Sequence, residues 1–334
     1  IDVANTTGGV TFNGVIGSTG NEVGSLTVTQ GATTLANNAT FTGNVDVAGG
    51  ETLTNNNGFT LTADNITGAG EFTNAGTATV TSDVDVDTLN NNSGATLTAA
   101  NITGGSVTFT NDGTANVTSN LVDATAVNNS SLTVSGNVQG AADVTNTGTL
   151  GMTDLAGSAT LDNQSGTTTV SGDITTTGTT TNAGTLDVAG DIDAGAGAIS
   201  STGALEVAGS VNNTSGVTLG TGGSLTLDGG TAQNVDAAID GASAGNGSIE
   251  VDNTNGATFN AAIGGATNID ALTVTDGATT LEENANFDGA VTVNGATSTL
   301  TNNATLTAAT LAGDSDGTFT NSVDGTATFG TVSS

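Results

Sequence analysis

The stretch TNAGTLDVAGDIDAG, residues 181–195, decides the fold. It opens on Asn182-Ala183-Gly184, runs through the alternating Thr185-Leu186-Asp187-Val188, and closes on Asp191-Ile192-Asp193. Period-two alternation is the mark of a strand with one face buried. The asparagine and glycine before it carry turn chemistry, with the glycine expected to supply the positive φ of a tight corner.

Both halves of the stretch recur. Asn-x-Gly elements start at Asn56, Asn74, Asn92, Asn111, Asn146 and Asn182, and Asn129 and Gln164 fill the two gaps. The steps are 18, 18, 19, 18, 17, 18 and 18 residues. After each comes a short alternating segment whose second apolar position falls on Leu61, Val80, Leu97, Val117, Val134, Met152, Val170, Val188 and Val207. A chain that returns to one buried spot at this interval is an all-β parallel β-solenoid, or β-helix, whose coils stack about 4.8 Å apart. Residues 1–334 then read as a single continuous solenoid of roughly 18 coils, on the order of 90 Å long. Asn56, Asn74, Asn92, Asn111, Asn129, Asn146 and Asn182 are expected to form an amide ladder from coil to coil, the alternative being turn residues that face solvent.

Composition supports this reading. The chain has 51 glycines, no proline, cysteine, tryptophan or tyrosine, and nine phenylalanines. A strand with neighbours on both sides cannot spare the ladder N–H that proline lacks. Abundant valine, isoleucine and threonine in a strong pattern argue against a disordered chain. Thirty-two acids stand against no lysine, arginine or histidine, giving a formal net charge of −32. A surface without a cation has nothing to neutralise phosphates or anionic lipid, so nucleic acid is excluded as a partner. No apolar run approaches the ~18 residues that span a bilayer, so membrane insertion is not expected. The lack of any trypsin-type cleavage site suits a protein outside the cell, and Ile1 without a methionine suggests a processed or excised segment.

A longer repeat overlies the short one. VANTTGGVTFNGVIGSTGNEVGSLTVTQGATTLANNATFTGNVDV from Val3 matches VDNTNGATFNAAIGGATNIDALTVTDGATTLEENANFDGAVTV from Val251. Phe12 falls on Phe259, Ile16 on Ile263, Leu26 on Leu272 and Phe41 on Phe287. Residues 1–249 are thus one tandem unit and residues 250–334 the start of a second copy.

The phrase VTFNGVIGSTGNEVGSLTVTQGATTL and its echo ATFNAAIGGATNIDALTVTDGATTL resemble the strand repeats of large bacterial surface proteins, the autotransporter passengers and filamentous-haemagglutinin-like exoproteins. The resemblance covers most of the chain as a style of repeat. It implies a right-handed parallel β-helix that serves as an adhesin, stalk or surface coat, and it carries over no functional residues. The chain departs from that family in its complete lack of lysine, arginine and proline.

Catalysis finds no support in the residues. Glycosidic cleavage needs two placed carboxylates and a sugar-gripping cleft, and there is no histidine or cysteine for acid–base or nucleophilic work. No cofactor is required; Ca2+ is the one candidate. SDVDVDT sets Asp83, Asp85 and Asp87 on one strand face, GDIDAG does so for Asp191 and Asp193, and AGDSDGT offers Asp314 and Asp316 at a turn. Hard cations take several carboxylate and carbonyl oxygens, so these are candidate calcium ligands. The competing reading is a solvated strand face, because alternating aspartates lie roughly 7 Å apart on one strand and need help from a neighbouring coil. Threonine files raise ice binding as a minor alternative. Thr60 and Thr62 are expected beneath Thr79 and Thr81, then Thr96 and Thr98, before the files run into Asp187 and Glu206. Asn-x-Thr sequons at Asn5, Asn38 and Asn65 leave glycosylation open.

The expected function is an extracellular, cell-surface structural protein: a fibre, sheath or adhesin stalk that forms a homopolymer through its solenoid ends or extends in tandem. A calcium-dependent adhesin for a surface or carbohydrate ligand is the alternative. Unpaired backbone at the terminal coils favours head-to-tail contact, while the acidic coat opposes sideways bundling.

Overall fold

In the computed structural model every residue is described except 6, 7, 19, 22, 194, 315 and 334. Among the described residues every regular element is a strand, and the strands pair in parallel. The fold is a parallel β-solenoid of about 17 turns with coils of roughly 19 residues. Two compact units divide it, Ile1–Thr160 and Leu161–Ser334. That division does not coincide with the change of sequence copy near residue 250.

In the first unit each coil contributes three strand segments, and three inward columns result. One runs Leu53, Phe72, Leu89, Phe109. The second runs Leu61, Ala78, Leu97, Ala115, and the third Val45, Ile66, Val84, Ile102. All twelve side chains are fully buried. Each strand pairs in register with the coil before and the coil after, so inward positions stay inward from coil to coil. The core is a thin file of apolar groups in which each buried Leu, Ile, Val or Phe side chain contributes about 1.5–3 kcal/mol, and the alanines less.

The second unit stacks the same way, Thr185 on Ala204 and Leu186 on Leu205. Its coils widen past residue 207. Val211 stacks on Val235 and Ile239 on Ile263, steps of 24 residues. The extra residues sit in the turns 228–232 and 242–247. These wider coils account for the difference from the 18-residue spacing of the sequence.

Register corrects the threonine files. Thr60 stacks on Thr77 and Thr62 on Thr79, and these continue to Thr96 and Thr98. Thr79 and Thr81 therefore do not lie over Thr60 and Thr62. The turn before Thr77 has two residues, 75 and 76, whereas the turns before Thr60 and Thr96 have four, 56–59 and 92–95. Aligning threonines by spacing alone slips by two across turns of unequal length.

The two copies of the long repeat adopt equal registers. Thr33, Leu35 and Asn55 reappear as Thr279, Leu281 and Asn302, with Leu35 stacked on Asn55 and Leu281 on Asn302. Even a defect repeats, since the buried hydroxyls of Thr33 and Thr279 both lack a hydrogen-bond partner.

Candidate functional site

The polar chemistry of the interior is an amide ladder. Asn55 Nδ2 donates to Asn74 Oδ1 at 2.9 Å, Asn74 to Asn91 at 2.9 Å, and Asn91 to Asn111 at 2.8 Å. Asn111 donates to Asn128 and Asn128 to Asn146, both at 2.8 Å. The second amide proton of each donor meets a backbone carbonyl one coil on, as in Asn91 to Thr114 O at 3.0 Å and Asn111 to Ser131 O at 2.8 Å. In the second unit Asn163 donates to Asn182 Oδ1 at 2.7 Å, and Asn182 to Ser201 Oγ at 3.0 Å. These side chains are fully buried or nearly so, and buried amides persist only when paired.

Of the asparagines expected in the ladder, Asn74, Asn111, Asn146 and Asn182 are rungs. Asn56, Asn92 and Asn129 are not: Asn56 is half-buried and the other two are exposed. Their places belong to Asn55, Asn91 and Asn128, and Asn163 is the rung where Gln164 fills the sequence spacing. The reason is pleat parity. The rung is the last residue of its strand, two positions after an inward apolar residue such as Leu53 or Leu89, and its neighbour must point outward.

The Asn-x-Gly glycines divide by the same logic. Gly58 and Gly94, in the longer turns, have φ of 83° and 80°. Gly76 and Gly113, in the short turns, are not in that region, which corrects the expectation of positive φ there. What excludes a side chain is the coil beneath: a Cβ on Gly113 would stand 2.5 Å from both Asn92 O and Ala95 O.

The ladder ends where its file turns apolar. Leu35 occupies the position before Asn55, and Asn55 Oδ1 is left buried without a donor. Leu219 follows Ser201. In the second unit a new ladder starts at Asn302, which donates to Asn321 Oδ1 at 2.7 Å, but on a different side of the coil. The first file there is Asn163, Asn182, Ser201, Leu219; the second continues Val211, Val235, Phe259, Leu281 into Asn302.

A second ladder runs along a corner and was not anticipated. Asn65 Oδ1 accepts the Asp83 N–H at 3.0 Å, Asn101 Oδ1 accepts that of Asn120 at 3.0 Å, and Asn120 Oδ1 that of Asn137 at 2.9 Å. Asp83 joins through its side chain, accepting from Asn101 Nδ2 at 2.9 Å. In the second unit Asp173 Oδ1 accepts the Asp191 N–H at 2.8 Å, and Asp191 Oδ1 accepts the Ser210 N–H at 2.7 Å. Ser210 Oγ then accepts the Asn234 N–H at 3.1 Å. The sequence signal is a short polar residue directly before an inward aliphatic one: Asn65-Ile66, Asp83-Val84, Asn101-Ile102, Asn120-Leu121, Asp173-Ile174, Asp191-Ile192. Such side chains bond readily to nearby backbone N–H groups, here those of the next coil.

The seven candidate calcium ligands therefore sit in different surroundings. Asp83 and Asp191 serve the corner ladder. Asp193 is half-buried, and its carboxyl is held above the ordinary range by burial first, then by the charges of Asp173 and Asp191. Asp85 is exposed and lies over Gly104, where a Cβ would meet its Oδ1 at 2.3 Å. Asp87 lines a shallow recess beside Glu51 and Glu71. Asp314 accepts N–H groups from Gly295 at 2.9 Å, Asp316 at 3.1 Å and Gly317 at 3.0 Å, which hold its carboxyl below the ordinary range. Asp316 contributes that N–H at the same turn. Among the described residues no three carboxylates converge as ligands of one metal ion.

Asp187 is of another kind. It lies on an open strand face with Thr169 before it and Glu206 after it in register. Comparison with protein-family models, with curated proteins and with solved structures found no match, so the fold and these two ladders are what the chain itself displays.

Proposed function

We propose that the chain is a structural element of a cell surface: a fibre, sheath or adhesin stalk of the kind its repeats resemble in autotransporter passengers and filamentous-haemagglutinin-like exoproteins. The observation that carries this reading is where the polar side chains are used. Asparagines of the interior and short polar residues of the corner bond from one coil to the next, so the specialised polar chemistry of the chain serves cohesion along the stack. The role is mechanical, its setting is outside the cell, and assembly proceeds end to end or by tandem extension. Pulling single molecules by their termini tests it. A load-bearing stalk releases length in steps of one coil, about 65 Å for 18 residues at full extension. Smooth extension at low force, together with negative-stain images that show neither fibres nor rods, overturns the proposal.

A second reading is favoured by the corrected register of the first unit. Thr60, Thr77, Thr96, Thr114, Ser131 and Thr149 form one outward file, and Thr62, Thr79, Thr98, Asn116, Thr133 and Gly151 the next. Six coils thus present hydroxyl-rich rows without a carboxylate, spaced about 4.8 Å across and roughly 7 Å along the strand. A regular hydroxyl lattice of this spacing suits ordered water, and ice is the ligand it would take. A thermal-hysteresis or ice-recrystallisation assay without effect removes this reading.

A further inference from the structure

The chain has seven Asp-Gly steps, at Asp112, Asp228, Asp240, Asp276, Asp288, Asp316 and Asp324. Such a step is able to react with itself. The amide nitrogen of the glycine attacks the side-chain carboxyl carbon of the aspartate, water leaves, and a succinimide ring remains. When water opens that ring at the main-chain carbonyl, the product is isoaspartate, in which the backbone runs through the side chain.

The fold decides which step reacts, because the nitrogen has to face its own carboxyl group. At five of the steps it faces another group. Gly229 N–H donates to Gln233 Oε1 at 3.2 Å, Gly241 to Thr267 O at 3.0 Å and Gly289 to Asp270 O at 2.8 Å. Gly317 donates to Asp314 Oδ1 at 3.0 Å and Gly325 to Ser322 O at 3.1 Å. At Asp112 the carboxylate is engaged elsewhere, by Asn129 Nδ2 at 2.8 Å. Asp276 differs from all of these: Gly277 N donates to Asp276 Oδ1 at 2.8 Å, and Thr297 Oγ donates to the same oxygen at 2.7 Å. Gly277, with a φ of 71°, is the whole turn between Ala271–Asp276 and Ala278–Leu281. The nitrogen is therefore held against the oxygen bonded to the carbon it attacks, and the half-buried Asp276 stays open to water.

We infer that Asp276-Gly277 is a self-modifying step that closes to a succinimide and isomerises to isoaspartate. The bond from Gly277 N to Asp276 Cγ forms and the bond from Cγ to Oδ2 breaks. Oδ2 leaves as water, with the proton of the neutral carboxyl group and the proton released by the nitrogen. Oδ1 carries the negative charge that develops on the way, and the Thr297 hydroxyl is placed to stabilise it. Ring opening consumes one water, so the net change is an isomerisation without any further reactant. Isoaspartate adds a methylene to the main chain beside a one-residue turn, so residues 278–281 lose the register that pairs them with 257–259 and 299–302.

The first copy of the long repeat holds an unreactive form of the same turn. LTVTQGATTL, residues 26–35, matches LTVTDGATTL, residues 272–281, and Gly31 has a φ of 84°. Gln30 stands there in place of the aspartate, and Gly31 N–H is taken by the Glu51 carboxylate of the next coil. This inference is independent of the stalk reading.

The test is prolonged incubation of the full chain in mildly acidic buffer, native and in urea, followed by digestion and electron-transfer fragmentation, which tells isoaspartate from aspartate. In the native chain isoaspartate at residue 276 is expected to exceed that at every other Asp-Gly step by about tenfold or more, the gain from a held attack geometry. In urea the steps should draw level. Thr297→Val should slow the native reaction by about tenfold, less than the ~100-fold lost from an enclosed oxyanion site. Gln30→Asp creates a further Asp-Gly step whose glycine N–H stays on Glu51, so it should remain unreacted; adding Glu51→Ser frees that N–H and should raise isoaspartate at residue 30. Equal reaction at all native steps, or a lead at residue 276 that persists unchanged in urea, overturns the proposal. So does equal reaction at residue 30 with and without Glu51→Ser.

Discussion

Replacing Asn111 by leucine separates the hydrogen bonds of the ladder from its packing. The site tolerates the shape, because Leu35 occupies the same file in the first unit and Leu219 follows the rungs of the second. Asn111 accepts from Asn91 and donates to Asn128 Oδ1 and Ser131 O, all within 2.8 Å. Leucine leaves one N–H of Asn91 and the Oδ1 of Asn128 buried without these partners. Each orphan costs about 1–3 kcal/mol, so the loss is about 2–6 kcal/mol. Extra apolar burial offsets about 1–2 kcal/mol of it. The expected net destabilisation is about 1–4 kcal/mol, measured by denaturant unfolding followed by far-UV circular dichroism, since the chain has no tryptophan or tyrosine. The sharper test is the double replacement of Asn91 and Asn111. Two adjacent rungs removed together still leave two orphans, on Asn74 and Asn128, so the double variant should cost no more than the single. A single variant as stable as the parent, or a double that costs twice the single, refutes the account of the ladder as a chain whose penalty sits at its ends.

Gly113→Ala is expected to cost about 1–3 kcal/mol, because the new Cβ meets two backbone carbonyls that cannot step aside; thermal unfolding reads it. Phe72→Ala should cost about 3–5 kcal/mol, whereas Phe319→Ala, at the equivalent but half-buried position, should cost less than half as much in the same assay. Asp187→Thr removes one of two carboxylates stacked in register with each other and should stabilise by about 0.2–1 kcal/mol at low salt. That gain should fade in molar salt, where screening shortens the reach of surface charge. Asp193→Asn should stabilise the protein at neutral pH, since the folded state holds this carboxyl above its ordinary range. The folded form then binds the proton more tightly than the unfolded one, so the wild type regains stability as pH falls through the raised pKa, and melting temperatures of the two proteins should converge there.

The solenoid was legible in the sequence because one inward residue per strand is enough to set a period: Val117 stacks on Val134 and Val170 on Val188, whereas Leu61 and Leu97, taken as members of the same file, belong to the inward position two residues earlier, with Ala78 and Ala115. The rungs were legible only in part. Runs such as Asn55-Asn56-Asn57 and Asn90-Asn91-Asn92 offer three asparagines where one points inward, and the turn motif picks the wrong one. Only counting pleat parity from Leu53 or Leu89 selects Asn55 and Asn91. The corner ladder escaped because its signal is a dipeptide, polar then aliphatic, too short to notice until register places Asp173, Asp191 and Ser210 over one another. Asp191, Asp187 and Asp193 look alike in the sequence, yet the first bonds to backbone, the second lies on an open face, and the third is pressed by its neighbours.

In the second unit the asparagine ladder stops on one side of the coil at Ser201, the buried amides of Asn253 and Gln233 bond to each other further along, and a rung of paired asparagines returns at Asn302 on another side. A beam stiffened along a single flank is strong in one plane and bows in the plane across it. Moving the stiffener around the circumference gives this unit resistance to bending about more than one axis, much as a lashing that changes sides keeps a bundle of reeds straight under load.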